Sequence, residues 1–238
     1  MNAPMIRRSI ALLAAVSVLA AAAGTGRPLG AKKDAGSLAL VFKTVLDVTK
    51  RAPANDEWLK ATRGEPLASG DQVKTGDRSL AVVKFLDNSI LRVRAQSLLT
   101  VSGEGLRGAQ VRTIELNAGA FGFEVKKQKV DEQFRLTSPT SVASIRGTRG
   151  KWGRGANDTL VVTEGLVNLR NNVSNRDLDV PAGYVGISGP DGSLSSRKGT
   201  KEELDDAEAA ASGGQNELNL QLKDAKGNKK ELRLRYNK

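Results

Sequence analysis

Apolar and polar residues alternate with a period of two along much of this chain. Phe121, Phe123 and Val125 alternate with Ala120, Gly122 and Glu124, as a strand with one buried face requires. Shorter extended runs recur at Leu38 to Val48, Ser79 to Leu86, Ser89 to Arg94, Val93 to Val101, Arg112 to Leu116 and Phe134 to Thr137. Others follow at Ser141 to Ile145, Thr159 to Thr163, Leu166 to Arg170, Leu178 to Val180 and Tyr184 to Ile187. Turn chemistry separates them: Gly70-Asp71, Thr75-Gly76-Asp77, Gly103 to Gly108, Asn117 to Gly119 and Pro181 to Gly183. Asp87-Asn88 and Glu164-Gly165 predict tight hairpins. The pattern predicts an all-β domain of about ten short strands over residues 38–188. An antiparallel sandwich, a jelly roll and a short β-solenoid all fit.

The pattern changes towards both ends. Residues 189–199 read as a linker. Lys201 to Ala211 reads as a short helix, with Thr200 as its cap, Glu203 three residues on and Gly213-Gly214 at its end. Leu218, Leu220 and Leu222, then Leu232, Leu234 and Tyr236, alternate with polar residues and predict an amphipathic hairpin. An isolated hairpin is marginal in water, so its leucine face is expected to pack on the domain or on a partner. At the other end, Arg7 and Arg8 precede an apolar run from Ile10 to Ala23 that closes on small residues. Residues 1–23 read as a secretory signal peptide and 24–37 as a disordered leader. The run is short of the roughly 20 residues a membrane span needs. Nothing after it approaches that length, so the mature chain is expected to be periplasmic or secreted, with no transmembrane segment.

Composition narrows the chemistry. The chain has 238 residues, a net charge of +11, no histidine and no cysteine. These absences remove ordinary zinc sites, thiol nucleophiles, Ser-His-Asp triads and lipobox attachment. No cofactor and no metal are expected. The basic excess suits an anionic ligand, a glycan or an acidic partner. Nucleic acid is not expected, because the few aromatics do not interleave with the basic runs. The acidic pairs Glu202-Glu203 and Asp205-Asp206 read as helix surface, and Asp71 and Asp77 lack the rhythm of a calcium loop.

The stretch from Thr137 to Trp152 concentrates the remaining signals. Pro139 cannot donate to a ladder, and Gly147 follows Arg146 where a strand ends. Arg146, Thr148, Arg149 and Trp152 are the candidate ligand- or partner-binding residues, since paired arginines in a glycine turn suit anions. The competing reading is architectural, with Gly147 forming a bulge or a close backbone approach.

Ser138-Pro139, Ile145-Arg146-Gly147-Thr148, the Gly70-Asp71 and Thr75-Gly76 pair, the Glu164-Gly165 turn and the Pro181-x-Gly183 turn together resemble the FecR-domain family over residues 69–188. Gly70, Asp71, Pro139, Gly147, Gly165 and Gly183 are its structural signature here. In its best-known members the domain lies in the periplasm below a membrane helix. It relays a signal from an outer-membrane iron-citrate transporter to a cytoplasmic sigma factor. This sequence shows a signal peptide where those members carry a cytoplasmic segment and a membrane helix.

The resemblance implies an exported, non-enzymatic binding or scaffold protein of the bacterial cell envelope, acting through protein–protein contact. Homo-oligomers stay open. A periplasmic sensor of a small anionic ligand of iron-chelate type is the alternative, and a glycan-active enzyme the remote one.

Overall fold

The computed structural model describes residues 36–53, 55–106, 109–213, 216–223 and 229–236. The expected signal peptide and nearly all of the expected leader lie outside the described residues. The alternating pattern folds into two sheets that face each other across one core. The first has the order β4 (Pro66–Leu67), β1 (Ala39–Val45), β6 (Leu80–Phe85), β7 (Ile90–Val93), the second half of β9 (Ala109–Val125), β12 (Thr148–Arg154), β13 (Asp158–Glu164), β16 (Tyr184–Ser188) and β17 (Leu194–Lys198). The second has the order β3 (Leu59–Lys60), β2 (Val48–Arg51), β5 (Asp71–Thr75), β8 (Leu98–Leu106), the first half of β9, β10 (Glu132–Thr137), β11 (Ser141–Ile145), β14 (Leu166–Asn171) and β15 (Asp177–Pro181). The long β9 belongs to both sheets. All these pairs are antiparallel except β9 with β10, which is parallel. The architecture is an all-β sandwich, with more strands than the ten expected.

The core follows from the alternation. Ile114 and Leu116 point inward before Gly119, and Phe121, Phe123 and Val125 after it. The inward set switches from even to odd numbers because Gly119, at φ 82°, bends the strand from one sheet into the other. Asn117 to Gly119 is therefore a corner inside a strand and not the turn expected from its residues. Phe85 and Phe134, from opposite sheets, meet edge to face with centroids 5.2 Å apart, and full burial of such a side chain contributes roughly 1.5–3 kcal/mol.

Corners of this kind recur. Passage from one sheet to the other turns on a residue with positive φ at Leu46, Gly64, Gly70, Arg78, Gln96, Gly119, Gly147, Gly165 and Gly183. Glu164-Gly165 is thus a crossover, since β13 pairs with β12 and β16 while β14 pairs with β11 and β15. A hairpin needs the same left-handed residue types, which is why the two look alike in sequence. The Asp87-Asn88 hairpin does join β6 to β7, with Asn88 at φ 65°. Residues 189–199 hold β17, paired along β16, so this stretch is part of the sheet and not a linker. Gly103 to Leu106 continue β8 and are not the loop expected there; Arg107 and Gly108 lie outside the described residues.

The helix α1 (Lys201–Ser212) has the expected capping box: Thr200 Oγ1 accepts from Glu203 N, and the Glu203 carboxylate accepts from Thr200 N. It ends at Gly213, φ 89°. It lies on the outer face of the first sheet, over β9, β12 and β13. Its buried face is alanine: Ala207, Ala210 and Ala211. Gly122 makes the approach possible, because a Cβ there would stand 2.1 Å from the Ala210 carbonyl oxygen. Beyond the helix, β18 (Asn216–Lys223) and β19 (Lys229–Tyr236) pair antiparallel, with Leu218 opposite Leu234 and Leu220 opposite Leu232. The packing expected of the leucine face falls on side chains outside the described set.

Candidate functional site

The candidate residues sit on one corner. β11 ends at Ile145 in the second sheet, Arg146 and Gly147 turn the chain, and Thr148 opens β12 in the first. Gly147 has φ 67°, and the corners at Gly147 and Gly165 stack: a Cβ on Gly165 would lie 2.9 Å from the Gly147 carbonyl oxygen. The next corner down joins in, as Ala182 N donates to Gly165 O at 2.9 Å.

Along β12 the side chains alternate. Thr148, Gly150 and Trp152 point into the core, and Arg149 and Lys151 point out. Trp152 is 0% exposed, opposite Phe121 on one side and Leu160 on the other. Its Nε1 has no hydrogen-bond partner. It is a core residue, out of a ligand's reach. Thr148 is also buried, its hydroxyl unpartnered.

Arg149 reaches three carboxylates: Glu124 at 3.6 Å, Glu164 at 3.7 Å and Glu208 at 3.5 Å. Its charge is spent tying β9, the Gly165 corner and α1 together. Of the four candidates, Arg146 is the exposed one. It forms the shared rim of two depressions. One, of about 580 Å³, also holds Lys129, Val130, Arg135 and Leu166. The other, of about 410 Å³, holds Lys126, Lys127 and Glu164. The structure therefore separates the four candidates into two core residues, one clamp and one surface cation.

The signature residues are structural in the same sense. The Asp71 carboxylate is buried, accepts from Ala68 N at 2.9 Å and lies 3.3 Å from Lys50 Nζ. Pro139 sits in the β10–β11 turn, closed by Ser138 N donating to Ser141 O. Beneath it lies a group the sequence reading missed. The buried Asp158 accepts from the hydroxyls of Ser138 and, at 2.7 Å, Ser141. Nothing local in the sequence marks Asp158, because its partners are 17 to 20 residues away.

Sequence reasoning also missed the basic face beneath the helix. Lys151 Nζ donates to Asp206 at 2.5 Å, Arg94 lies 3.5 Å from Asp206, and Arg92 donates to the Ala211 carbonyl. Burial lowers the Arg92 pKa. The hydrogen bond from Lys126 holds the Glu124 carboxyl below its ordinary range, with Arg149 adding to it. The hydrogen bond from Lys151 does the same for Asp206. Glu203 falls furthest, from 4.5 to about 2, through its bond from Arg197 and then through the cap.

Carboxylates with depressed folded-state pKa values stabilise above their unfolded pKa, and that contribution is lost as pH falls through the folded one. The helical signal in far-UV circular dichroism is therefore expected to fall as pH drops from about 4.5 towards about 2, before the sandwich unfolds. A Glu203→Gln variant would start from a weaker helix and show less of this acid transition. A helix that survives unchanged to pH 2 would refute this account of its attachment.

Among the described residues no group of three or more His, Cys, Asp or Glu could hold a metal ion, and no helix is long and apolar enough to cross a membrane. Two crystal structures of a "putative anti-sigma factor from Parabacteroides distasonis ATCC 8503", at 1.65 and 2.50 Å resolution, are similar to this chain. Each is 12% identical with a TM-score of 0.49, over 64% of this chain and 68% and 67% of theirs. No curated protein matches the chain. The family comparison is more direct: residues 71–168 match the family described as FecR protein, from the buried Asp71 through the Pro139 turn and the Gly147 and Gly165 corners into β14. Over residues 71–168 the chain is thus similar to the FecR protein family.

Proposed function

We propose that this protein is an exported, non-enzymatic binding module of the bacterial cell envelope, working in signal transduction through contact with another protein. The observation that carries this is the FecR domain at residues 71–168, in a corner whose signature residues are consumed by architecture. With Trp152 and Thr148 inside and Arg149 neutralised, recognition is left to the outer surface around Arg146. A rigid two-sheet body with short turns suits partner docking better than enclosure of a small molecule. Residues 1–23 deliver it to the periplasm or outside the cell.

A photo-crosslinking residue in place of Arg146, activated in the envelope fraction, is expected to capture one discrete protein. Absence of any crosslinked species, with monomeric sedimentation, would defeat the reading. One observation favours a second reading. Arg146 is exposed, and in both depressions cations outnumber the lining carboxylates, which are Glu132 and Asp179 in one and Glu124 and Glu164 in the other. Calorimetry with citrate and ferric citrate separates the two, since heat that disappears in Arg146→Ala would favour the sensor.

A further inference from the structure

We propose that one end of the sandwich, formed by the β6–β7 turn and the loop of residues 126–131, docks on an anionic phospholipid bilayer. The inference does not depend on which protein the domain contacts. Leu86 in the turn is 67% exposed and Val130 in the loop 89%. A single exposed leucine is ordinary. Here, however, the two apolar tips are held by a buried polar knot.

The Asp87 carboxylate turns inward. It accepts from Ser89 N at 3.0 Å, from Ser89 Oγ at 2.8 Å and from Gln128 Nε2 at 2.8 Å, and it lies 3.4 Å from Arg112. Lys126 N donates to Ser89 Oγ at 3.0 Å, so the loop's backbone is tied to the turn as well. Gln128 and Arg112 are buried. The acid of the turn is thus withdrawn, and the apolar tips on either side are left outside on rigid supports.

The surroundings are cationic. Beside Leu86 a depression of about 410 Å³ contains Phe42, Arg63 and Lys84 and is lined by no carboxylate. Phe42 is 44% exposed, with the Arg63 and Lys84 cations 5.6 and 5.8 Å from its ring. Lys127 and Lys129 are exposed on the loop that carries Val130, and Asp131 is the exposed acid among them. Apolar tips inside a basic rim match a membrane interface. The tips enter the acyl boundary, and the cations meet lipid phosphates.

The test is co-sedimentation of the full mature chain with vesicles at low and physiological salt. Binding to phosphatidylcholine vesicles containing phosphatidylglycerol is expected, with little to phosphatidylcholine alone. Leu86→Ser with Val130→Ser should weaken it about tenfold at unchanged melting temperature, because two apolar contacts with the acyl layer are removed. Lys127→Glu with Lys129→Glu should abolish it at physiological salt. Failure to bind anionic vesicles would overturn the proposal. So would binding that the serine pair leaves unchanged, which would be diffuse charge attraction. A Leu86-dependent dimer without vesicle binding would assign the face to a second copy instead.

Discussion

Trp152→Ala is expected to destabilise the protein by about 3–5 kcal/mol, the cost of removing a large side chain from a core that cannot collapse around it. Trp152 is fully buried between Phe121 and Leu160 in the middle of the first sheet, and strands on both sides fix the walls of the cavity. Trp152→Phe should cost far less than its loss of volume suggests. The indole N–H is buried without a partner, and a donor of this kind costs about 1–3 kcal/mol that phenylalanine would not incur. Urea denaturation of the two variants decides the matter. A surface binding residue would give the opposite result, with stability near that of the parent in Trp152→Ala and loss of partner capture. A small effect of Trp152→Ala on the denaturation midpoint would therefore return this residue to the list of contact candidates.

That Trp152 is a core residue was readable from the alternation in β12. Thr148, Gly150 and Trp152 share one phase, and Arg149 and Lys151 share the other. The all-β class was legible for the same reason, as were the helix with its Thr200 cap and the Asn88 hairpin. The corners were not. A left-handed glycine between two strands marks a hairpin and a sheet crossing equally well, so Gly165 was read as the former. Only a change of inward phase tells them apart, as between Leu116 and Phe121. Leu46, Arg78 and Gln96 also turn corners with positive φ, and their residue types carry no signal for it. Arg149 could not be judged locally, because its carboxylates come from positions 124, 164 and 208. The sequence could show that a cation sits beside a glycine turn. It could not show that the cation is already paired.

Alanine at the three successive corner glycines should separate backbone strain from corner stacking. Gly147, Gly165 and Gly183 all have positive φ, at 67°, 88° and 83°, so each substitution carries the left-handed penalty of roughly 1–2 kcal/mol. Their surroundings differ. A Cβ at Gly183 meets nothing within 4 Å, and at Gly147 it meets Lys127 at the ordinary distance of 3.5 Å. At Gly165 it would stand 2.6 Å from Thr148 Cγ2 and 2.9 Å from the Gly147 carbonyl oxygen. The second of these is backbone, and Thr148 is buried, so neither neighbour can swing away. Relieving the overlap means parting the two stacked corners, which adds a further 1–3 kcal/mol or so. Gly165→Ala should therefore cost about 3 kcal/mol or more, against roughly 1–2 for Gly147→Ala and Gly183→Ala. The added loss should be smaller in a Thr148→Ser background, where the Cγ2 methyl is gone and the carbonyl contact remains. Three equal midpoints in urea would mean that the corners bear only their own strain and are not joined into one column.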